Sequence, residues 1–279
     1  MARALRASWP RLRAGIRGEG RPLRLFLLGS GITYSRSPAM HQAAFRALEM
    51  DWTYDLIDVP SERLASAVEG LRAQDVAGAN VTIPYKQAVM NQLDTIAPDA
   101  VRARAVNTIV NEGGRLGGYN TDIPAIREAV EQVGVEPRSA NAVILGVGGA
   151  ARATAVALEG AHITFVARNP QDADVPGTVV NWSDASVATL SRSADLLVNA
   201  TPLGRREEMP LRPAALPRSG AVIDLVYVSG GTPLVRKARS LGLAAADGWE
   251  ILLAQGAISF LLWTGRSAPI EAMRETLQP

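Results

Sequence analysis

The feature that most restricts the fold of this 279-residue chain is a glycine-rich loop between an apolar strand and a helix. In the segment NAVILGVGGAARA, Gly146, Gly148 and Ala151 stand in the G-x-G-x-x-A spacing directly after an apolar run. The glycines permit a tight turn and a close approach of the backbone to a pyrophosphate, and the helix N-terminus attracts negative charge. This context predicts a dinucleotide-binding α/β unit, the alternative being a plain tight turn.

The last residue of the next predicted strand indicates which dinucleotide binds. An NAD site usually carries Asp or Glu about 20 residues beyond the glycine motif, to bind the ribose hydroxyls. Here Arg168 stands 20 positions after Gly148. A guanidinium binds a 2′-phosphate through charge-assisted hydrogen bonds, whereas a carboxylate would repel it. We therefore predict NADP(H) as the cofactor; the alternative is a solvated arginine at a strand end.

Strands and helices alternate along the chain, which indicates an α/β protein with largely parallel sheets. Before the glycine motif, the runs LRLFLLG, WTYDLIDV and GANVT predict strands, and AVNTIVNEGGRLGGYNTD predicts two short strands around a Glu-Gly-Gly turn. The runs SPAMHQAAFRALEM, SERLASAVEGLRAQ, YKQAVMNQLD and residues 122–134 predict helices. We expect Ser37 to cap the first helix, with Pro38 at its first position. From residue 141 onward, NAVILG, HITFVAR, ADLLVNAT and AVIDLVY predict four strands, and WEILLAQGAISFLLWTG predicts a buried helix.

Composition and charge exclude several classes of protein and site. The chain has no cysteine, which excludes disulfides and thiolate chemistry, and its two histidines, His41 and His162, form no metal pattern. No apolar run is long enough for a membrane span. We predict a cytoplasmic protein without a metal, with His41 and His162 in ordinary packing or surface positions.

The positive charge is concentrated in residues 1–21, which contain six arginines and one acid and so have a net charge of +5. Since the whole chain has a net charge of +2, the remaining residues have a net charge of −3. The high pI belongs largely to this segment, so it is poor evidence for nucleic-acid binding. We predict a disordered extension over 1–21, or a start codon placed too early, with a weaker likeness to an organelle transit peptide.

Polar side chains follow the predicted strands of the first half of the chain. They are Ser35, Ser37, Asn80, Thr82, Lys86, Asn107 and Asp122. Each alone has a plain explanation as a helix cap, a turn residue or an exposed charge. Because the carboxyl ends of parallel strands meet at one edge of a sheet, these groups are together expected to converge on a ligand.

The same segments, in their order and spacing, resemble the shikimate dehydrogenase family from about residue 23 to 275. GSGITYSRSPAMHQAAF resembles the family's opening carboxylate-binding segment, GANVTIPYK its catalytic-lysine segment, and AVNT and GYNTD its next two substrate segments. GVGGAARA resembles its NADP loop, NATPLG its fourth strand, and DLVY, TPL and GWEILLAQGAISFLLWTG its C-terminal part. Among the departures, Gly31 stands where the family usually has proline.

The resemblance implies an α/β fold of two domains with the active site in the interdomain cleft. An N-terminal α/β substrate-binding domain with a mainly parallel sheet would comprise residues 22–121 plus 248–279. A Rossmann-like NADP-binding domain would comprise residues 122–247.

The implied activity is that of an NADP-dependent shikimate dehydrogenase, which reversibly reduces 3-dehydroshikimate to shikimate in chorismate and aromatic amino acid biosynthesis. Lys86 and Asp122 would be the catalytic pair and would also contact the substrate. The other implied substrate residues are Ser35 and Ser37 for the carboxylate, Thr82, Asn107 and Gln255 for the ring hydroxyls, and Tyr227 nearby. The implied cofactor residues are Gly146, Val147, Gly148, Gly149, Ala150, Arg168, Leu225 and Gly248.

Lysine is rare in this chain, which makes its use at position 86 informative. Of 29 basic residues only Lys86 and Lys237 are lysines. Arginine stays protonated in proteins, whereas a lysine amine can accept and return a proton. Lys86 is therefore either the general acid/base for an alcohol, or an ammonium that stabilises the alkoxide while Asp122 takes part in proton transfer.

Three other functions stay open on the sequence. One is a quinate/shikimate dehydrogenase of broader specificity, perhaps using NAD; another is a non-catalytic dinucleotide-binding regulator; the third is a folate-linked dehydrogenase of related two-domain shape. We expect shikimate or 3-dehydroshikimate as the partner, no nucleic acid or membrane, and a monomer or homodimer.

Overall fold

The computed structural model describes residues 22–277, which form two compact units. Within these residues, the first unit runs up to Thr121 and resumes at Leu253, and the second runs from Asp122 to Leu252. The extension predicted over 1–21 lies outside the described residues. The domain boundaries expected from the sequence, at 121/122 and 247/248, remain a proposal.

The first unit is built on a six-stranded sheet in the order β2-β1-β3-β5-β6-β4. β1 is parallel to β2 and β3, β4 is parallel to β6, and β5 is antiparallel to both of its neighbours. The mainly parallel sheet expected from the sequence is thus confirmed, with one antiparallel hairpin. The strands are β1 (Leu23–Gly29), β2 (Trp52–Asp58), β3 (Val76–Val81), β4 (Thr95–Ile96), β5 (Thr108–Glu112) and β6 (Arg115–Tyr119).

The second unit is built on a six-stranded sheet whose pairings are all parallel, in the order β12-β11-β10-β7-β8-β9. This is the doubly wound order of dinucleotide-binding folds, in which the direction of winding reverses between β7 and β10. The four predicted strands are confirmed, and β9 and β12 were missed. The strands are β7 (Asn141–Leu145), β8 (His162–Ala167), β9 (Thr178–Asn181), β10 (Leu196–Asn199), β11 (Ala221–Asp224) and β12 (Ala244–Ala246).

Helices connect the strands in both units. They are α1 (Ser37–Ala47), α2 (Leu64–Gly70), α3 (Pro98–Ala103), α4 (Asp122–Gln132), α5 (Gly149–Ala157), α6 (Ser186–Arg192), α7 (Pro233–Ser240), α8 (Gly248–Thr264) and α9 (Ile270–Glu275). The chain returns from the second unit to the first within α8. No helix among residues 22–277 has the length and apolar character needed to cross a membrane.

Two of the predicted helices differ in the structure. YKQAVMNQLD forms a turn and a short 3-10 helix, Ala88–Gln92, so the predicted helix is wrong and Lys86 lies in the turn. The Lys86 carbonyl accepts the N–H of Val106 at 2.7 Å, and the N–H of Met90, four residues after Lys86, donates to Gln87 at 3.2 Å instead of forming the i+4 bond of an α-helix. The helix expected to open at Ser61 begins as a 3-10 turn, and its α-helical part, α2, ends at Gly70.

The predicted cap of α1 is also wrong. Ser37 is the first residue of the helix, and Arg36 is the N-cap. Arg36 already has helical dihedrals (φ −91°, ψ −7°), and its carbonyl accepts the N–H of Met40 at 3.1 Å. The Ser37 N–H instead donates to Ser35 Oγ at 3.3 Å, so the earlier serine satisfies the first turn of the helix.

Aromatic rings form the deepest part of the first unit's core and enclose His41. The His41 ring stacks on Tyr54 with centroids 4.5 Å apart, and Trp263 meets it edge-on at 5.3 Å. His41 is fully buried, and neither ring nitrogen has a hydrogen-bond partner among the described residues. Burial lowers the pKa of His41 to about 3, so the folded protein keeps this ring neutral.

The pH dependence of stability should therefore carry a signature of His41. The unfolded chain binds a proton at its ordinary pKa of 6.5, whereas the folded chain does not until about pH 3. Between these values the free energy of unfolding falls as the pH falls, by up to about 1.4 kcal/mol per pH unit. His41→Leu removes this contribution, so in urea unfolding the variant should gain on the wild type as the pH drops from about 6 to about 4.

His162→Leu is the matched control, because His162 is the other of the two histidines and lies exposed at the start of β8. Its stability curve should run parallel to that of the wild type. If the His41→Leu curve also runs parallel, the buried neutral imidazole is not the cause.

Candidate active site

The segment between β1 and α1 brings Ser35 and Ser37 together. Their hydroxyl oxygens lie 3.3 Å apart, Ser35 being half-buried and Ser37 buried. Gly31, upstream in this segment, has φ +65° and donates its N–H to both carboxylate oxygens of Asp58, at 3.0 and 3.2 Å. Proline has no N–H and a φ near −65°, so it could take neither role. The glycine at position 31 therefore gives this segment its own anchor.

Thr82 and Lys86 lie in the turn that follows β3. The Thr82 N–H donates to the carbonyl of Leu28 at 2.9 Å, which extends the pairing of β3 with β1. A side chain at Gly29 would lie 2.7 Å from Thr82 Cγ2, so glycine is needed for the close approach. Lys86 is half-buried, and its carbonyl bonds Val106, the residue before Asn107. The turn therefore places the main chain of Lys86 beside Val106 and Asn107, directly before β5.

Asn107, Thr121 and Gln255 come together in the buried part of the first unit. The Asn107 side chain accepts the Thr121 N–H at 2.7 Å and donates to Thr121 Oγ1 at 3.0 Å. Thr121 Oγ1 lies 3.5 Å from Gln255 Oε1. Two of the side chains that the resemblance assigned to ring hydroxyls are thus joined through one threonine.

A second set of polar side chains lies against these three. Tyr54 Oη donates to Asn80 Oδ1 at 2.8 Å, and Asn80 Nδ2 lies 3.0 Å from Thr108 Oγ1 and 3.1 Å from Ser259 Oγ. We call the whole set the buried polar cluster; its members are Tyr54, Asn80, Asn107, Thr108, Thr121, Gln255 and Ser259. Each is buried, and each is hydrogen-bonded within the set, as buried polar groups require.

Asp122 directly follows Thr121 in the chain and is the first residue of α4. A carboxylate in the first turn of a helix is favoured by the positive end of the helix dipole. Asp122 is half-buried. Its backbone position is therefore tied to the buried polar cluster through the preceding residue.

In the second unit, the glycine loop follows β7 at the point where the winding of the sheet reverses. Gly146 has φ +106°, and a side chain there would lie 3.1 Å from Thr201 Cγ2 and 3.2 Å from the Ala200 carbonyl oxygen. Gly148 is the N-cap of α5, and a side chain there would meet no described atom within 4 Å. Packing thus requires glycine at 146 but not at 148, where the space at the helix N-terminus suits a pyrophosphate.

The loop carries its own positive charge as well as the helix terminus. Arg152, in the second turn of α5, is buried, and its guanidinium donates to the Val147 carbonyl at 3.3 Å. Gly149 and Ala150 form the first turn of α5, where their N–H groups have no helical acceptor. The residues from Gly146 to Ala150 thus lie at a helix N-terminus with N–H groups left over, an arrangement that is suited to an anion such as a phosphate.

Arg168 lies exposed directly after β8, at the carboxyl edge of the same sheet. Its carbonyl accepts the side-chain N–H of Asn181, at the end of β9, at 3.0 Å. The arginine is therefore anchored through its backbone while its side chain reaches solvent, as a ligand for a 2′-phosphate requires.

The remaining predicted residues of the second unit lie after β11 and at the start of α8. A side chain at Gly248 would lie 2.7 Å from the Leu225 carbonyl oxygen, so Leu225 and Gly248 are in direct backbone contact. The Tyr227 ring lies 4.8 Å from the Trp249 ring, and the indole N–H of Trp249 donates to the Val228 carbonyl at 3.0 Å.

A buried carboxylate that the sequence reasoning missed holds these strand ends. Asp224, at the end of β11, accepts hydrogen bonds from Asn199 Nδ2 at 2.9 Å and from Thr232 Oγ1 at 2.6 Å. Burial raises the pKa of Asp224 to about 6, against the opposing effect of these hydrogen bonds. The three residues join the end of β10, the end of β11 and the N-cap of α7.

Ser259 and Thr108 were also missed. Ser259 is the polar residue four positions after Gln255 in an otherwise apolar stretch of α8, so the i, i+4 spacing was a usable signal. Thr108 carried no such signal, because a threonine in a strand is ordinary.

Two family models match the chain. Residues 27–109 match the Shikimate dehydrogenase substrate binding domain, and residues 248–278 match the Shikimate 5'-dehydrogenase C-terminal domain. The first match contains the Ser35, Thr82, Lys86 and Asn107 positions, and the second contains Gln255.

Relatives match over nearly the whole length of the chain. A shikimate dehydrogenase (NADP(+)) from Symbiobacterium thermophilum is 42% identical, covering 94% of this chain and 95% of that protein. Shikimate 5-dehydrogenase from Thermus thermophilus, solved in complex with NADP(H) and shikimate, is 36% identical with a TM-score of 0.82, covering 91% of this chain and 98% of that one. Quinate dehydrogenase from Corynebacterium glutamicum, solved in complex with NAD, is 28% identical with a TM-score of 0.81, covering 92% of this chain and 99% of that one.

Proposed function

This chain belongs to the shikimate dehydrogenase family, and from that premise we propose that it is an NADP-dependent shikimate dehydrogenase of aromatic amino acid biosynthesis. The observation that carries the proposal is the buried polar cluster beside the Lys86 turn. It supports the assignment of Asn107 and Gln255 as ligands of ring hydroxyls, because their amides are held by neighbouring hydroxyl groups.

The reaction is the reversible oxidation of one secondary alcohol. Shikimate and NADP⁺ give 3-dehydroshikimate, NADPH and a proton: the carbinol carbon loses a hydride, and its oxygen loses a proton. NADP(H), when bound, supplies the hydride acceptor or donor. The protein must therefore orient the alcohol and move one proton.

The proton is assigned to Lys86 and Asp122, which we take as the catalytic pair. In one form of the mechanism the Lys86 amine accepts the hydroxyl proton and returns it in the reverse direction. In the other, Lys86 remains an ammonium that stabilises the alkoxide, and Asp122 takes part in the proton transfer. Both forms use an amine that can approach an oxygen atom closely, and the first needs a group that an arginine cannot replace.

The substrate and cofactor residues divide by chemistry. The adjacent hydroxyls of Ser35 and Ser37 suit a carboxylate, which accepts hydrogen bonds. Thr82, Asn107 and Gln255 would bind the ring hydroxyls, with Tyr227 nearby. The loop from Gly146 to Ala150 would hold the pyrophosphate, Arg168 the 2′-phosphate, and Leu225 and Gly248 the rest of the cofactor.

Selectivity between NADP and NAD follows from the charge of Arg168. A guanidinium gains charge-assisted hydrogen bonds from a 2′-phosphate, which NAD lacks. This favours NADP over the NAD found with the quinate dehydrogenase relative. The cytoplasmic location and the monomer or homodimer expected from the sequence stay predictions.

The direct test is the formation of NADPH, followed by its absorbance, when the purified protein is mixed with shikimate and NADP⁺. Parallel reactions contain quinate in place of shikimate and NAD⁺ in place of NADP⁺. We expect rapid turnover with shikimate and NADP⁺ alone. Turnover with quinate or NAD⁺ would assign the broader specificity, and no turnover by folded protein that binds NADP⁺ would contradict an enzymatic role.

Lys86→Arg tests the need for an amine. The substitution keeps the positive charge but removes a group that exchanges protons, so kcat should fall by at least about 100-fold. Binding of NADP⁺, measured by calorimetry, should stay within about twofold of the wild-type value because the substitution lies outside the glycine loop.

Lys237→Arg is the matched control, since Lys237 is the other lysine of the chain and is equally half-buried, on α7. Its kcat should equal that of the wild type. Near-normal turnover by Lys86→Arg would contradict the assigned role.

A further inference from the structure

A buried hydroxyl lies behind the side chains assigned to the ring hydroxyls. We propose that Ser259 is a positioning residue, which holds Asn107 and Gln255 in the orientation that binds the substrate. This inference rests on the proposed function, because the substrate roles of Asn107 and Gln255 belong to it.

Ser259 contacts three other members of the buried polar cluster, which lie on three different segments of the chain. It lies on α8 one turn after Gln255, and its side chain is fully buried. Its Oγ donates to the Gln255 carbonyl at 2.9 Å. The same oxygen lies 3.1 Å from Asn80 Nδ2 on β3, 2.9 Å from Thr108 Oγ1 on β5 and 3.1 Å from Thr121 Oγ1 before α4.

The number of protons on each hydroxyl limits the direction of these bonds. A serine hydroxyl donates one proton and accepts two. We assign the Ser259 proton to the Gln255 carbonyl, and Thr108, whose Oγ1 is 2.9 Å away, then donates to Ser259. The Asn80 amide supplies the second bond to Ser259, so both of its acceptor positions are taken.

This arrangement in turn directs the proton of Thr121. With Ser259 saturated, the Thr121 hydroxyl has three acceptors within reach: Thr108 Oγ1 at 3.2 Å, Asn107 Oδ1 at 3.2 Å and Gln255 Oε1 at 3.5 Å. The last two are amide oxygens of the proposed substrate residues. Ser259 therefore acts on them indirectly, by leaving Thr121 as their donor.

Loss of the Ser259 hydroxyl would change the hydrogen bonds that Thr108 and Thr121 make. In Ser259→Ala, Thr108 loses its acceptor on α8, so its proton is left to Asn107 Oδ1, which already lies within hydrogen-bond distance at 3.0 Å in the wild type. Asn107 and Gln255 would then no longer be held in one arrangement. Substrate binding should weaken, while the proton transfer assigned to Lys86 and Asp122 is unchanged.

The test compares initial rates of shikimate oxidation by the full-length wild type and Ser259→Ala. Loss of one positioning hydrogen bond predicts an increase in KM for shikimate of about three- to tenfold. The KM for NADP⁺ and kcat should change less than about twofold, because only binding of the substrate is affected. A purely structural role would lower the melting temperature and leave the KM for shikimate unchanged.

Thr264→Ala is the matched control. Thr264 makes the same type of bond in the same helix, from its Oγ1 to the Phe260 carbonyl at 2.8 Å, but it is not a member of the buried polar cluster. Its kinetic constants should equal those of the wild type. If Ser259→Ala and Thr264→Ala behave alike, the positioning role is overturned.

If Ser259→Ala does not fold, a second variant tests whether the buried polar cluster positions the substrate residues. Tyr54→Phe removes one hydroxyl from the far end of the buried polar cluster and keeps the ring in the core. It should raise the KM for shikimate at least about twofold, with kcat unchanged; an unchanged KM overturns the inference. Absence of shikimate turnover by the wild type would overturn the proposed function itself, and the positioning role with it.

Discussion

Mutual hydrogen bonding among buried amides and hydroxyls is the interaction on which the first unit depends. The strand ends of β3 and β5 and the start of α4 carry polar groups that are removed from water, and each such group left without a partner would cost about 1–3 kcal/mol. The groups satisfy one another within the buried polar cluster, with Ser259 of α8 as the common contact. The contacts that pack α8 against the strands therefore also orient Asn107 and Gln255, the proposed substrate residues.

In the second unit, close main-chain contacts at glycines help to hold the strand ends together. A side chain at Gly248 would collide with main-chain atoms of Leu225 and Val226 after β11, and Gly146 after β7 combines φ +106° with a tight approach to the Ala200 carbonyl oxygen after β10. Asp224 joins the same strand ends through its bonds to Asn199 and Thr232. A side chain at Gly148 would meet no described atom within 4 Å, so packing does not require glycine there.

Long apolar strands and glycine motifs were predictable from the sequence, because burial on both faces and positive φ each leave a local pattern. The strands β7, β8, β10 and β11 were predicted for the first reason, and the loop at Gly146 for the second. β12, an all-alanine strand, leaves no such pattern. A long-range bond at Lys86 could not be predicted from local pattern: its carbonyl accepts the N–H of Val106, and the segment forms a turn and a 3-10 helix instead of the predicted helix.

The candidate site was predicted unevenly for the same reason. The rare Lys86 and the paired serines indicate their chemistry from the sequence alone. For Ser259 the sequence offers only the i, i+4 spacing from Gln255, and its contacts with Asn80, Thr108 and Thr121 depend on the fold. The measurement that tests the account most directly is a crystal structure of the protein with bound shikimate. We expect the ring hydroxyls within about 2.7–3.2 Å of the side chains of Asn107, Gln255 and Lys86. Shikimate bound away from these three side chains would contradict the account.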